Sequence, residues 1–324
     1  MVANVQTMLS VRETPWHRIG KVVDTAPTTA EGIVLAGMDW EALEKPLFTR
    51  ESILVDGVEQ VSQQLVKGYK AIVRSDTGVT LGVVRGRYTP LQNRDAFNWF
   101  DPFIESGDAS LETAGVLGDG QRVWIMAKIN RDPSVIVPGD EILKYLLLSS
   151  SHDGSLAIRA GFTPIRVVCQ NTLSMAHSDK KSKLLRLKHT AGAKIGLDKL
   201  RDTINLIDRE FEMTSEQFQF LASKQFNKAD LEKYVKLVLF NTEGELSTRA
   251  KNTLERVIAK VDQPEQTLAG VAGTWWAAYN AITEHLSHDA SRNPENRFTS
   301  LNFGVNYNMN AKALKEALTF ATGA

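Results

Sequence analysis

The chain has 324 residues, 43% hydrophobic and 23% charged, with 38 Lys or Arg set against 38 Asp or Glu. That length allows two core-forming units at roughly 150 residues each. Zero net charge excludes a surface that attracts polyanions everywhere, so nucleic-acid affinity would need a local patch. The single cysteine, Cys169, excludes an internal disulfide. No apolar run approaches the roughly 18 residues of a membrane-spanning helix. With no basic and apolar leader in residues 1–16, a cytoplasmic protein of a bacterial host cell is expected, with no membrane partner.

Taken in order, Pro15-Trp16-His17-Arg18-Ile19-Gly20 reads as a loop plugged onto the body by Trp16. Thr28-Thr29-Ala30-Glu31 has the form of a capping box and predicts a helix over residues 30–37. Residues 39–48 are strand-like, and 53–59 with 60–65 read as a small hairpin about Asp56-Gly57. Residues 69–74 and 79–85 form a clearer hairpin through the turn 75–78. Asn93 is the expected cap of a helix over 94–106, which Pro102 should kink or divide. Strands over 110–117 and 121–129 flank Gly118-Asp119-Gly120.

Residues 144–177 are the centre of the pattern. An apolar, then Ser-rich strand runs to Ser151, His152-Asp153-Gly154 turns, residues 155–161 alternate, and 165–169 form a third strand before a helix capped by Asn171 or Thr172. The N-terminal half is therefore α+β, an antiparallel hairpin sheet crossed by helices. From Asp179 the character changes to a lysine-rich arm and then helices, which divides the chain into a β-rich core at 1–178 and a basic, helical region at 179–324. Leu197, Leu200, Ile204, Ile207, Phe211, Thr214, Phe218 and Leu221 recur at a heptad-like spacing, a possible oligomerisation seam. Further helices are expected over 228–240, 246–261, 267–286 and 310–320.

Few of these residues spell out a reaction. Cys169 near His152 and His177 suggests a thiol with a base, yet it sits in an apolar strand, where a free cysteine is ordinarily an inert small hydrophobe. His285 and His288, followed by Asp289, have helical spacing for a metal, yet no Cys partner exists and a polar helix end explains both histidines. No GxxxxGK[ST] or GxGxxG motif is present, so neither a nucleotide nor any other cofactor is expected. The basic residues carry the leading expectation. Arg74, Arg85 and Arg87 lie on one hairpin and Arg159 and Arg166 on the central strands. Lys180, Lys181, Lys183, Arg186 and Lys188 follow in the arm. Convergence of these groups would make a cationic track for a phosphate backbone, with Tyr69, Tyr88, Trp99 and Trp124 available to stack bases. The competing reading is that the charges form an ordinary solvated face.

The ordered motifs Pro15-Trp16-His17-x-x-Gly20, Tyr69-x-Ala71-x-Val73-Arg74-x-Asp76, Tyr88-x-Pro90-x-Gln92-Asn93, Ser151-His152-Asp153-Gly154-Ser155 and Arg166-Val167-Val168-Cys169-Gln170-Asn171-Thr172-Leu173 are followed by Thr274-Trp275-Trp276-Ala277-Ala278-Tyr279-Asn280-Ala281. Together they resemble a family of phage- and plasmid-borne proteins built on a domain of unknown function. The resemblance implies a mobile-element setting and supplies no catalytic residues. By fold-level analogy with the annealing proteins such elements encode, it suggests a single-stranded-DNA-binding, strand-annealing protein that forms rings or filaments of its own copies. The alternatives are a counter-defence or regulatory protein that binds a host protein, and an enzyme built around His152, Asp153, Cys169 and Asn171.

Overall fold

The computed structural model describes residues 5–12, 20–56, 58–166, 171–172, 185–202, 204–242, 244–290, 300–301 and 304–323. Its fold is α+β, with antiparallel sheets in the N-terminal half and helices in the C-terminal half. The larger sheet has nine strands, β1 (Val5–Val11), β2 (Lys21–Val23), β6 (Ala109–Leu117), β7 (Arg122–Ile129), β8 (Ser134–Val137), β9 (Asp140–Ser151), β10 (Ile158–Arg166), β11 (Asn171–Thr172) and β12 (Leu185–Leu187). Its spatial order is β11-β10-β9-β7-β6-β1-β2, with β12 also on β10 and β8 on β9. The smaller sheet joins β3 (Ala42–Val55), β4 (Val58–Arg74) and β5 (Thr80–Arg85).

Alternation along β7 explains how the sheet is covered. Val123, Ile125 and Ala127 enter the main core, while Trp124 faces the opposite side with Met8, Leu117 and Leu147. Onto the main-core face pack α1 (Thr29–Leu35), α2 (Asn93–Asn98) and α3 (Asp101–Glu105), which contribute Ile33, Phe97 and Phe103. The capping box at Thr28 is formed as its sequence predicts, with Glu31 bonded back to the Thr28 backbone. Pro102 lies in the first turn of α3, so the expected long helix is two short ones. Asn93 is not the cap of α2; that position falls to Gln92, and the Asn93 amide is buried for another purpose.

Two expectations are corrected by long-range pairing. The separate strand and hairpin expected over 39–65 are one long ribbon, β3 against β4, paired from Ala42–Arg74 to Val55–Val58. Pro46 sits at its register shift, where the missing N–H is tolerated, and Gly68 lies inside β4 at φ 81°, so both break the local pattern without ending the strand. Likewise 155–161 and 165–169 do not form two strands among the described residues, because β10 runs unbroken through Pro164.

The C-terminal helices are α4 (Ala193–Asp202), α5 (Ile204–Ala222), α6 (Lys228–Phe240), α7 (Thr248–Ala259), α8 (Trp275–Glu284) and α9 (Val305–Thr322). They build a second core around Trp276, Tyr234, Tyr279 and Phe218. Trp276 Nε1 donates to Asp140 Oδ2 at 2.8 Å and thereby pins α8 to the start of β9. A boundary at 178/179 does not separate the cores. Leu197 of α4 belongs to the sheet core, and Ile136 and Ile142 of the β8–β9 hairpin belong to the helical one. Where described, the heptad-like seam is spent inside the chain. Leu197, Phe211, Phe218 and Leu221 are buried in these two cores and Thr214 is buried beside them, while the side chains of Leu200, Ile204 and Ile207 lie outside the described residues. Among the described residues no helix is long and apolar enough to cross a membrane.

Candidate nucleic-acid interface

Arg74, Asn93, His152 and Asp153, from three of the motifs, meet near one buried junction between the two sheets. A Cβ at Gly82 would lie 2.6 Å from the Cα of Asp153, so glycine there lets β5 pass directly against the 152–154 turn. His152 is fully buried, and its Nε2 lies 3.0 Å from Asn93 Oδ1. Asn93 Nδ2 donates to the Met38 carbonyl at 3.0 Å, so the amide oxygen is the acceptor and His152 Nε2 carries the proton. Burial, reinforced by His189, pushes the His152 pKa down to about 3, which outweighs the opposing pull of Asp153. The ring is neutral at pH 7. Its Nδ1 has no hydrogen-bond partner among the described residues, and the Trp40 ring meets it edge-on at 5.2 Å. With no exposed surface, His152 cannot meet a substrate as the enzyme reading requires. Cys169 and His177 lie outside the described residues, and of Asn171 only the backbone is described. Asp153 Oδ1 accepts from the Ser155 N–H and shapes the turn.

Arg74 belongs to the same junction. Its Nε and Nη2 donate to the two oxygens of Asp76 at 2.7 and 3.0 Å, and Nη1 donates to the Asp119 carbonyl at 2.9 Å and to Gln6. The guanidinium also lies 4.5 Å over the Trp40 ring. At 6% exposure it is a structural tie among three turns and strands, which corrects its placement in a phosphate track. It also stands at the opposite end of the β4–β5 ladder from Arg85. Trp99 and Trp124 are corrected too: at 3% and 5% exposure they are core, and no base reaches them.

A second group of the predicted residues does come together. Tyr88 stacks on His189 with ring centroids 4.6 Å apart, and the Thr89 N–H donates to the His189 carbonyl at 3.1 Å. These contacts clamp the loop after β5 to the chain leaving β12. Tyr88 Oη donates to the Ser151 carbonyl, and burial raises its pKa. His189 Nε2 donates to the Leu156 carbonyl at 3.0 Å, and burial lowers its pKa. Arg87 and Lys188, both exposed, each sit one residue from this stacked pair. Arg186, also exposed, precedes Lys188 by two residues and so shares its side of the extended chain.

Directly across from Arg186 on β10 is Arg159, which is half-buried. Burial, then the Arg186 charge, lowers the Arg159 pKa. The Tyr307 phenol of α9 is close enough to feel the same guanidinium. On the smaller sheet Arg85 is exposed and paired in register with Tyr69, itself 46% exposed. The exposed or half-buried cations are thus Arg159, Arg186 and Lys188 at β12, Arg87 next to Tyr88, and Arg85 opposite Tyr69 on the smaller sheet. Lys180, Lys181 and Lys183 lie outside the described residues, and of Arg166 only the backbone is described. His189 and Tyr307 carry no sequence signal, since only the fold brings them to strand ends.

His285 and His288 do not make a metal site: among the described residues no three His, Cys, Asp or Glu side chains are grouped to hold a metal. His285 instead faces Asp289 at 3.6 Å.

An α+β protein with a buried polar junction and a cationic strand edge is thus defined. The family described as "Domain of unknown function (DUF932)" matches residues 80–305, more than half of the chain, and the protein belongs to that family. The matched span contains β5, the 152–154 turn, the basic group and α8, and leaves out the β3–β4 ribbon and Arg74. No curated protein and no solved structure matches the chain.

Proposed function

We propose that the protein binds single-stranded DNA along the edge formed by β12 and the end of β5, and that it promotes strand annealing in a phage or plasmid setting. One observation carries the reading. Arg186 and Lys188 share the outer side of the edge strand β12 and the residue after it, Arg186 stands opposite Arg159, and Arg87 adjoins Tyr88 of the Tyr88–His189 stack, although the chain has no net charge. The chain immediately before that strand carries Lys180, Lys181 and Lys183, which would extend the grip on phosphates. Tyr69 beside Arg85 offers an aromatic face next to a cation, the combination that holds unpaired bases without reading sequence. Binding of this kind needs charge neutralisation and stacking and no chemical step, so no catalytic residue is assigned.

The test is a salt-titrated binding assay with a fluorescent oligonucleotide. Affinity should fall steeply and log-linearly with salt, and charge reversal of Lys180, Lys181 and Lys183 should weaken all sequences alike. Salt-insensitive binding, or none, rejects the proposal.

The second reading, a protein that binds a host protein, is favoured by the ribbon. Phe48, Ile53, Leu54, Val61 and Leu65 project from it at 46–77% exposure, an apolar surface unusual for a ribbon with no cover. A single stoichiometric partner recovered from host lysate, with no oligonucleotide binding, would decide for it.

A further inference from the structure

Away from the basic edge, the helical region holds a cleft of about 1060 Å³ between α7, the end of α6, α9 and the segment that ends α8. Its chemistry follows from helical spacing. Arg249, Asn252, Thr253 and Arg256 lie at i, i+3, i+4 and i+7 of α7 and share one face. Arg256 is held for use: Nε donates to the Asn252 carbonyl at 3.2 Å and Nη2 to Thr253 Oγ1 at 3.1 Å. Three of its five N–H donors are left over. Among the described residues neither Arg249 nor Arg256 has a carboxylate at ion-pair distance, and both are exposed.

The far wall is a π-helical turn, His285–Asp289, closed by the Ala290 N–H donating to the His285 carbonyl at 2.8 Å. Such turns recur at functional sites, because the extra residue re-aims side chains from the helix. Here it carries both His285 and Asp289 into the cleft wall. Asp289 is the one carboxylate on that wall among the described residues, and it shares Lys260, at 3.1 Å, with Glu284, which lies 2.5 Å from the same ammonium. His285 is uncharged at neutral pH, since burial, with Arg256 and Lys260 nearby, outweighs Asp289 and lowers its pKa. Arg249, Arg256 and the Lys260 ammonium together outnumber the two carboxylates, Glu284 and Asp289, by one charge. The apolar part of the lining comes from Phe240, Leu286 and Met309, and Asn306 adds an amide.

We propose that this cleft binds a nucleoside monophosphate. Arg249 and Arg256 take the phosphate, the preferred partner of a planar guanidinium. Phe240 and Met309 take the flat base, and Asn252 and Asn306 offer amides to its edge. The cleft has room for a ligand of that size with solvent beside it. The site is separate from the basic edge of β12 and does not depend on the DNA-binding reading.

The test is isothermal titration of the full chain with AMP, GMP, CMP and UMP, with the corresponding nucleosides and inorganic phosphate as controls. At least one monophosphate should saturate at one per chain, at least tenfold more tightly than its nucleoside and than phosphate. R249Q and R256Q should each weaken it about fivefold or more without moving the melting temperature, because both side chains are exposed. K188E should leave it unchanged. The proposal is overturned if no monophosphate saturates, if nucleoside or phosphate alone binds as well, or if the folded R249Q and R256Q variants bind like wild type.

Discussion

Arg159 on β10 and Arg186 on β12 are direct cross-strand partners, two guanidinium groups opposed where a sheet gains more from opposite charges. Like charges so placed cost roughly 0.2–1 kcal/mol. Under the proposed DNA-binding reading, Arg186 and Lys188 on this edge strand meet phosphates. The predicted consequence is a split between stability and binding. R186Q should leave the urea midpoint unchanged or slightly higher while weakening oligonucleotide binding several-fold. Its log–log salt slope should fall by about one phosphate contact. Equilibrium unfolding and fluorescence anisotropy on the same sample check both halves.

Arg74 predicts the opposite split. Its bidentate pair with Asp76 is buried on the arginine side, and Asp76's pKa is lowered chiefly by that hydrogen bond. R74M leaves Asp119, Gln6 and Asp76 without their donor and should cost about 3 kcal/mol. D76N, at the exposed end of the pair, should cost less. Neither variant, while folded, should alter oligonucleotide affinity. A loss of binding in R74M at temperatures where it is fully folded would return Arg74 to the interface.

What could be read in the sequence was what local chemistry decides. Thr28 and Glu31 are three residues apart, so their capping box is visible before folding. Pro102 announces a helix break, and Gly154 at φ 76° announces the hairpin turn. The basic edge was half legible, since charge can be seen in a sequence but exposure and partners cannot. Arg74 and Arg85 look alike on one hairpin, yet only the fold supplies Arg74 with Asp119, Gln6 and the Trp40 face. Leu197, Phe211, Phe218 and Leu221 of the seam enter this chain's own cores, and their period said nothing of whether the partner was another copy or those cores. β1 gave no signal, because its pattern of burial is too short and mixed to stand out.

The ribbon of β3 and β4 makes a prediction about local stability. Beyond Pro46 nearly every position is exposed, so the tip about Asp56 contributes little to either core. A bare two-stranded ribbon is marginal in water. Limited proteolysis should therefore cut first near Asp56, and the nicked chain should melt within a few degrees of the intact one. L54K should likewise change stability by less than about 0.5 kcal/mol. If L54K instead lowers the solution mass measured by light scattering, the ribbon is the contact between copies.

His152 sets the acid limit of the fold. An unfolded histidine titrates near 6.5, whereas burial holds this one at about 3. Between those values the unfolded chain binds a proton that the native chain refuses, so stability rises with pH across the window. The contribution is complete above pH 6.5 and is lost progressively as pH falls, up to on the order of 4 kcal/mol by linkage. His189 and His285, whose pKa values are also lowered by burial, add to the same slope. H152N removes the largest of these three and should flatten the pH dependence of the urea midpoint between pH 6.5 and 5. It should also lower stability at pH 7.5 by about 1–3 kcal/mol, because Asn93 Oδ1 loses its best-placed donor. An H152N profile as steep as wild type would mean that protonation at His152 does not govern acid unfolding, and that the bond to Asn93 is not the tie on which this junction closes.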